Sequence, residues 1–161
     1  TQGVSSAASD VYKRQEWDSN FDIHVKGPFY LCKAIAPHMI ERRYGKIINI
    51  ASGTLFKGTP YMLHYVTSKG AVLAMTRCLA REVGDDGICV NALAPGLVMS
   101  ENVLARGNFD DTAVDANTAT RALTRRQVPL DLVGAILFLA SSDSDFMTGQ
   151  CMVVDGGSVN H

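Results

Sequence analysis

The sequence predicts an α/β fold, half of a doubly wound parallel sheet, from three observations. Apolar residues recur at helical spacing through three long segments. Three short, β-rich runs lie between and after them, each closed by turn residues. The two kinds of segment alternate, in the order α-β-α-β-loop-α-β, which implies parallel pairing with right-handed crossovers. A chain of 161 residues suits one domain.

The first helical pattern runs through Trp17, Phe21, Val25 and Phe29 to Ile35, Met39 and Ile40. Gly27-Pro28 is expected to interrupt it, because proline lacks a backbone donor and crowds the preceding turn, and Pro37 to bend it again. After Gly45, Lys46–Ala51 reads as a buried strand bounded by Ser52-Gly53. Residues 60–83 return to helical spacing through Tyr65, Val72, Met75, Leu79 and Val83, and Gly84 and Gly87 end them. Ile88–Leu93 is a second strand, closed by Pro95-Gly96. Residues 97–120 are polar and irregular, with short helical hints. Pro129–Ala140 predicts a helix burying Leu132, Val133, Ile136, Leu137 and Leu139, and Cys151–Val154 a third strand ending at Asp155-Gly156-Gly157.

Composition excludes several classes. A net charge of -1 provides no basic field for nucleic acid or an anionic membrane. The longest apolar run, Val133–Ala140 interrupted by Gly134, is far short of a spanning helix. Cys32, Cys78, Cys89 and Cys151 form no paired motif and read as small buried hydrophobes in a reducing compartment. With no secretory pattern at the start, a cytoplasmic protein is expected. His38, His64 and His161 show no metal-ligand spacing, so no metal is expected.

In doubly wound sheets ligands bind beyond the carboxyl ends of the strands. Ser52 follows the first strand and Pro95-Gly96 the second. Between them, Tyr65 and Lys69 stand four residues apart, on one helix face. A free tyrosine titrates near about 10 and is a poor base at neutrality. A neighbouring ammonium stabilises the phenolate and makes that proton exchangeable, while a serine hydroxyl can orient a carbonyl or alkoxide oxygen. Such a pair arises by chance in roughly one chain in five of this composition, so the order of serine, tyrosine-lysine pair and Pro-Gly turn carries the argument.

These residues, with HVKGPF at 24–29, GKIINIAS at 45–52, YVTSK at 65–69, VNALAPG at 90–96, FLAS at 138–141 and TGQCMVVDGG at 148–157, closely resemble the short-chain dehydrogenase/reductase family. The resemblance covers Glu16 to Gly157. It implies a Rossmann-like parallel sheet and oxidation of a secondary alcohol, or reduction of a ketone, with NAD or NADP as cofactor. It implies Ser52 as the substrate-polarising hydroxyl, Tyr65 as general acid/base, and Lys69 as the group that favours the phenolate and holds the nicotinamide ribose. Pro95-Gly96 would shape the turn under the nicotinamide. Val98 and Ser100 stand where the family contacts the carboxamide, although Ser100 also reads as a plain helix N-cap.

Two departures stand out. The family's relay asparagine is replaced by His24, which either holds the same water or is a satisfied structural histidine. The glycine-rich cofactor fingerprint and the Asn-Asn-Ala-Gly strand end are absent, so a three-strand mononucleotide-binding half of at least about 60 to 90 residues is expected upstream of this sequence. Ser5–Gln15, SSAASDVYKRQ, resembles the in-frame translation of a transposon-end adapter used in preparing sequencing libraries. Residues 1–15 are therefore read as a scar and 16–161 as a truncated catalytic domain. Its first strand would expose an edge, and the chain alone is expected to be inactive and prone to aggregate.

Leu97–Gln127 corresponds to the family's variable substrate lid. Arg121, Arg125 and Arg126 at its far end read as solvated or salt-bridged charges, or as basic surface for a carrier-bound acyl substrate. Phe56, Tyr61, Met62 and Leu63 could wall an apolar pocket. The C-terminal tail resembles aryl or cyclic secondary-alcohol dehydrogenases, with a 3-oxoacyl-carrier-protein reductase or a non-catalytic scaffold as alternatives. Family helices equivalent to residues 16–43 and the YxxxK helix form a four-helix bundle between subunits. The resemblance thus implies a homodimer or homotetramer acting on a small-molecule substrate.

Overall fold

The computed structural model describes residues 13–107 and 109–159. Most of the segment read as a scar, and His161, lie outside the described residues. Among the described residues the sheet has three parallel strands in sequence order: β1 (Gly45–Ile50), β2 (Ile88–Pro95) and β3 (Cys151–Val154). The register pairs Gly45 with Ile88 and Ile50 with Leu93, then Ala92 with Cys151 and Pro95 with Val154. Central β2 is buried along most of its length, whereas β1 alternates.

The first helical pattern behaves differently from expectation. Helix α1 (Arg14–Phe21), a π-helical turn (Asp22–Lys26) and α2 (Gly27–Arg42) run on without a break at Gly27-Pro28. Proline withholds the amide that would reach the carbonyl of residue 24, and the distortion falls on the preceding turn, where the Gly27 amide reaches back five residues to Asp22 O. Arg14 and Gln15, read with the scar, form the first turn of α1.

After β1 come a short α3 (Thr54–Lys57) and the long α4 (Leu63–Val83). Gly87, at φ 78°, turns the chain into β2; a Cβ there would lie 2.4 Å from Arg43 O. The irregular 97–120 segment contains α5 (Glu101–Arg106) and α6 (Asp111–Ala119), each N-capped by its preceding residue, Ser100 or Asp110. Helix α7 (Leu130–Ala140) precedes β3.

Helices α2 and α4 cover one sheet face. There Cys32, Met39, Ala80 and Val83 close on Ile47, Ile88 and Val90, and Leu73 packs on Ala51, Ala92 and Ala94. Helix α7 takes the other face, where Lys46 ion-pairs with Asp145 at 2.7 Å. Of the residues expected to be buried in α7, only Leu139 is; Leu132 is half-buried, and Val133, Ile136 and Leu137 are exposed, because three strands are too few to cover that helix. The cysteines also divide: Cys32 is buried, Cys89 and Cys151 half-buried, and Cys78 exposed on the outer face of α4. No helix among the described residues is long and apolar enough to cross a membrane.

Candidate active site

Strand ends position the site. The Gly53 amide donates to Pro95 O at 2.9 Å and the Gly96 amide to Val154 O at 3.0 Å, which ties the loops after all three strands together. Gly96 is required there, since a Cβ would lie 2.8 Å from Gln127 Oε1 and 2.9 Å from Asp155 Cβ. Ser52 is thereby held buried at the mouth of the sheet. Its Oγ accepts from the Thr54 hydroxyl at 2.9 Å and the Thr54 amide at 3.3 Å. With both acceptor positions used, its own proton is free for a ligand oxygen.

Helix α4 supplies the pair. The Lys69 ammonium lies 5.7 Å from the Tyr65 ring centroid and donates to Ile50 O at 2.9 Å. Lys69 is buried, and desolvation lowers its pKa from the ordinary lysine value. Ser52, Tyr65, Gly96, Val98 and Ser100 wall one cavity of about 690 Å³. Lys69 and His24 line an adjoining groove along β1, and Pro95 sits behind the cavity as the last residue of β2.

The rings of His24 and Tyr65 meet nearly perpendicular, with centroids 5.4 Å apart. Its Nδ1 lies 3.0 Å from Ser68 Oγ, and the Ser68 hydroxyl donates to Tyr65 O at 2.7 Å. Ser68 has one proton to give, so Nδ1 of His24 is the donor and Nε2 carries the lone pair. Burial first, then the charges of Lys69 and His64, lowers the His24 pKa below its ordinary value. The neutral imidazole is a proton acceptor beside the tyrosine-lysine pair.

Ser100 is an N-cap, its Oγ accepting from the Val103 amide at 3.4 Å; its hydroxyl proton can still serve a ligand. The donors of Lys69, Tyr65 and Ser100 suit the hydroxyls and carboxamide of a nicotinamide riboside, so the residues present fit that end of a dinucleotide.

The pocket wall differs from expectation. Of Phe56, Tyr61, Met62 and Leu63, only Met62 lines the cavity; Tyr61 is 81% exposed, Leu63 is exposed, and Phe56 packs on the core under β2. The arginines also separate. Arg125 pairs with Asp131, holding that carboxyl down at about 2, and Arg126 pairs with Asp111 and Asp115. Arg121 is buried and lines the cavity instead. Lys57, Asn117 and Ser158, also in the wall, escape sequence reasoning because they come from three separate loops and helix ends.

The family model that matches residues 2–159 is described as enoyl-(acyl carrier protein) reductase. A probable galactose dehydrogenase, GalD, of Rhizobium meliloti (strain 1021) is 34% identical over 150 residues, 93% of this chain and 58% of its own. The 3-oxoacyl-acyl-carrier-protein reductase FabG of Staphylococcus epidermidis (strain ATCC 12228 / FDA PCI 1200) is 36% identical over 145 residues, 90% of this chain and 58% of its own. A crystal structure of a gluconate 5-dehydrogenase from Burkholderia cenocepacia J2315, in complex with NADP and tartrate, superposes with a TM-score of 0.87 at 35% identity, covering 92% of this chain and 58% of that one. The chain thus spans somewhat over half the length of the relatives it matches.

Proposed function

The chain belongs to the short-chain dehydrogenase/reductase family, and from that premise we propose that it is the catalytic portion of an NAD(P)-dependent oxidoreductase that interconverts a secondary alcohol and a ketone. The observation that carries the reading is the Lys69 ammonium, buried 5.7 Å from the Tyr65 ring, with Ser52 and Tyr65 on one cavity wall.

In the direction of reduction, the Ser52 hydroxyl hydrogen-bonds the ketone oxygen and holds it beside Tyr65. Tyr65 donates its proton as the alkoxide develops. Lys69 stabilises the phenolate left behind, and the Nε2 lone pair of His24 orients a water through which that proton is replaced. A nicotinamide cofactor, when bound, would supply the hydride that the carbonyl carbon receives, or take it from the carbinol in the reverse direction. Tyr65, Lys69, Val98 and Ser100 would hold its riboside end over the turn built by Pro95 and Gly96. The pyrophosphate cradle is assigned to a part of the protein outside this chain, as is the choice between NAD and NADP.

A cytoplasmic homodimer or homotetramer completes the proposal. Tyr30, Leu31 and Ile35 on α2 are exposed at 62%, 71% and 45%, which supports a second subunit on that face. A 3-oxoacyl reductase is the second reading, favoured by the FabG relative. A panel of secondary alcohols with NAD against acetoacetyl thioesters with NADPH separates the two.

The decisive variant is Tyr65→Phe in the full-length protein. Turnover is expected to fall about 10³-fold while dinucleotide binding is retained. Unchanged activity would leave a scaffold that does no chemistry at this site.

A further inference from the structure

His64 stands next to Tyr65, and no step of the reaction proposed above uses it. It is the second residue of α4, half-buried, and lines the same cavity as Ser52 and Tyr65. Four residues on, along the same helix face, comes Ser68, whose hydroxyl meets Nδ1 of His24 at 3.0 Å. Both α1 and the π-helical turn that carries His24 pack against α4, so these three side chains follow one seam between packed elements. Asn20, four residues before His24, lines the cavity together with His64. The two imidazoles also feel each other: burial, then Lys69, then His64 disfavours a charged His24.

The histidines open on different spaces. His24 and Lys69 line the groove along β1, and His64 lines the cavity. Every residue from Lys46 to Ile50 lines that groove, which therefore follows the outer edge of the strand, where the upstream half of the sheet is expected. With that half in place, the cavity is the side left open to water. Lys69 is itself buried, its ammonium donating to Ile50 O. A proton lost by Tyr65 thus needs a carrier on the cavity side, and His64 is the imidazole there.

We propose that His64 is the outer station of the proton relay to Tyr65, passing protons between cavity water and the water held at Nε2 of His24. An imidazole gives a proton from one ring nitrogen while the other takes one, so each passage leaves its charge unchanged. In ketone reduction one proton moves inward per turnover. It passes from cavity water to His64, from His64 to the relay water, and from that water to the Tyr65 phenolate. In alcohol oxidation one proton leaves by the reverse steps. This rests on the oxidoreductase reading above.

The test uses the full-length protein with the panel of secondary alcohols and either dinucleotide. His64→Ala is expected to lower kcat roughly 100-fold, the low end of what one positioned proton carrier contributes. The KM of the alcohol and the affinity for the dinucleotide should change little, and retained dinucleotide binding shows that the variant folds. Added imidazole should restore much of the lost rate and saturate with concentration. His64→Gln hydrogen-bonds over a similar reach but cannot take up and release protons, and should stay as slow as His64→Ala. An unchanged kcat in His64→Ala overturns the inference, as does a slow variant that imidazole fails to rescue. A rise confined to KM, or a His64→Gln protein as fast as the unaltered one, also overturns it and leaves His64 a wall residue. If the unaltered protein passes no hydride between any of these alcohols and a dinucleotide, the oxidoreductase reading fails first, and the relay with it.

Discussion

His24 shows how one substituted atom set alters a site. Ser68 uses its proton on Tyr65 O, which makes Nδ1 of His24 a donor and leaves Nε2 basic. Its pKa is depressed from 6.5 by burial, then by Lys69 and His64, so the folded chain binds fewer protons here than the unfolded one. Stability attributable to this group is therefore unimpaired above pH 6.5 and falls as pH drops through the folded pKa. Urea unfolding midpoints of the full-length protein measured from pH 7.5 downward should decline more steeply than those of His24→Asn. The same variant should flatten the acid limb of kcat without abolishing turnover, because asparagine can orient a water but cannot titrate. Parallel profiles would make His24 a structural residue only.

The elements matter through their ends. The Ser52 turn, the Pro95-Gly96 turn and the Asp155 turn are joined by backbone hydrogen bonds from Gly53 to Pro95 and from Gly96 to Val154, so the site inherits the register of the sheet. Gly96→Ala places a Cβ against Asp155 and Gln127 and is expected to cost roughly 1–3 kcal/mol by overpacking. Denaturant unfolding checks the stability. A simultaneous loss of activity larger than the stability change would locate the displacement at the cavity wall. In the segment 97–120, α5 and α6 were visible in the sequence only as hints, because such short helices depend on their caps, Ser100 and Asp110, more than on periodicity.

At the scale of the whole molecule, β1 is the outermost of the three strands among the described residues, with no neighbour on its outer side there. Ile50 at its end is 48% exposed, and on α7 Leu130 and Leu137 are exposed at 77% and 63%. An open edge beside apolar surface is a template for self-association. The 161-residue chain expressed alone is expected to sediment as large species and to show no dinucleotide binding by fluorescence titration. A monodisperse monomer that binds the dinucleotide would refute this.

The α/β class, the strands, the long helices, the placement of Ser52 just after β1 and that of Tyr65 and Lys69 on α4 were legible in the sequence, because each rests on local spacing: period two, period 3.6, and four residues along one helix face. The cysteine and α7 burial were misjudged for the opposite reason, since burial depends on what another element lays over a residue. The uninterrupted passage through Gly27-Pro28 was misjudged because a helix can absorb a missing amide one turn earlier. Lys57, Thr120, Arg121 and Ser158 carry no shared pattern along the chain. Only the tertiary structure joins the end of α3, the turn after α6 and the segment after β3 by hydrogen bonds at the rim of the cavity. Backbone periodicity is written between near neighbours, whereas the electrostatics of a cavity are set by residues far apart in sequence that folding brings within a hydrogen bond of each other.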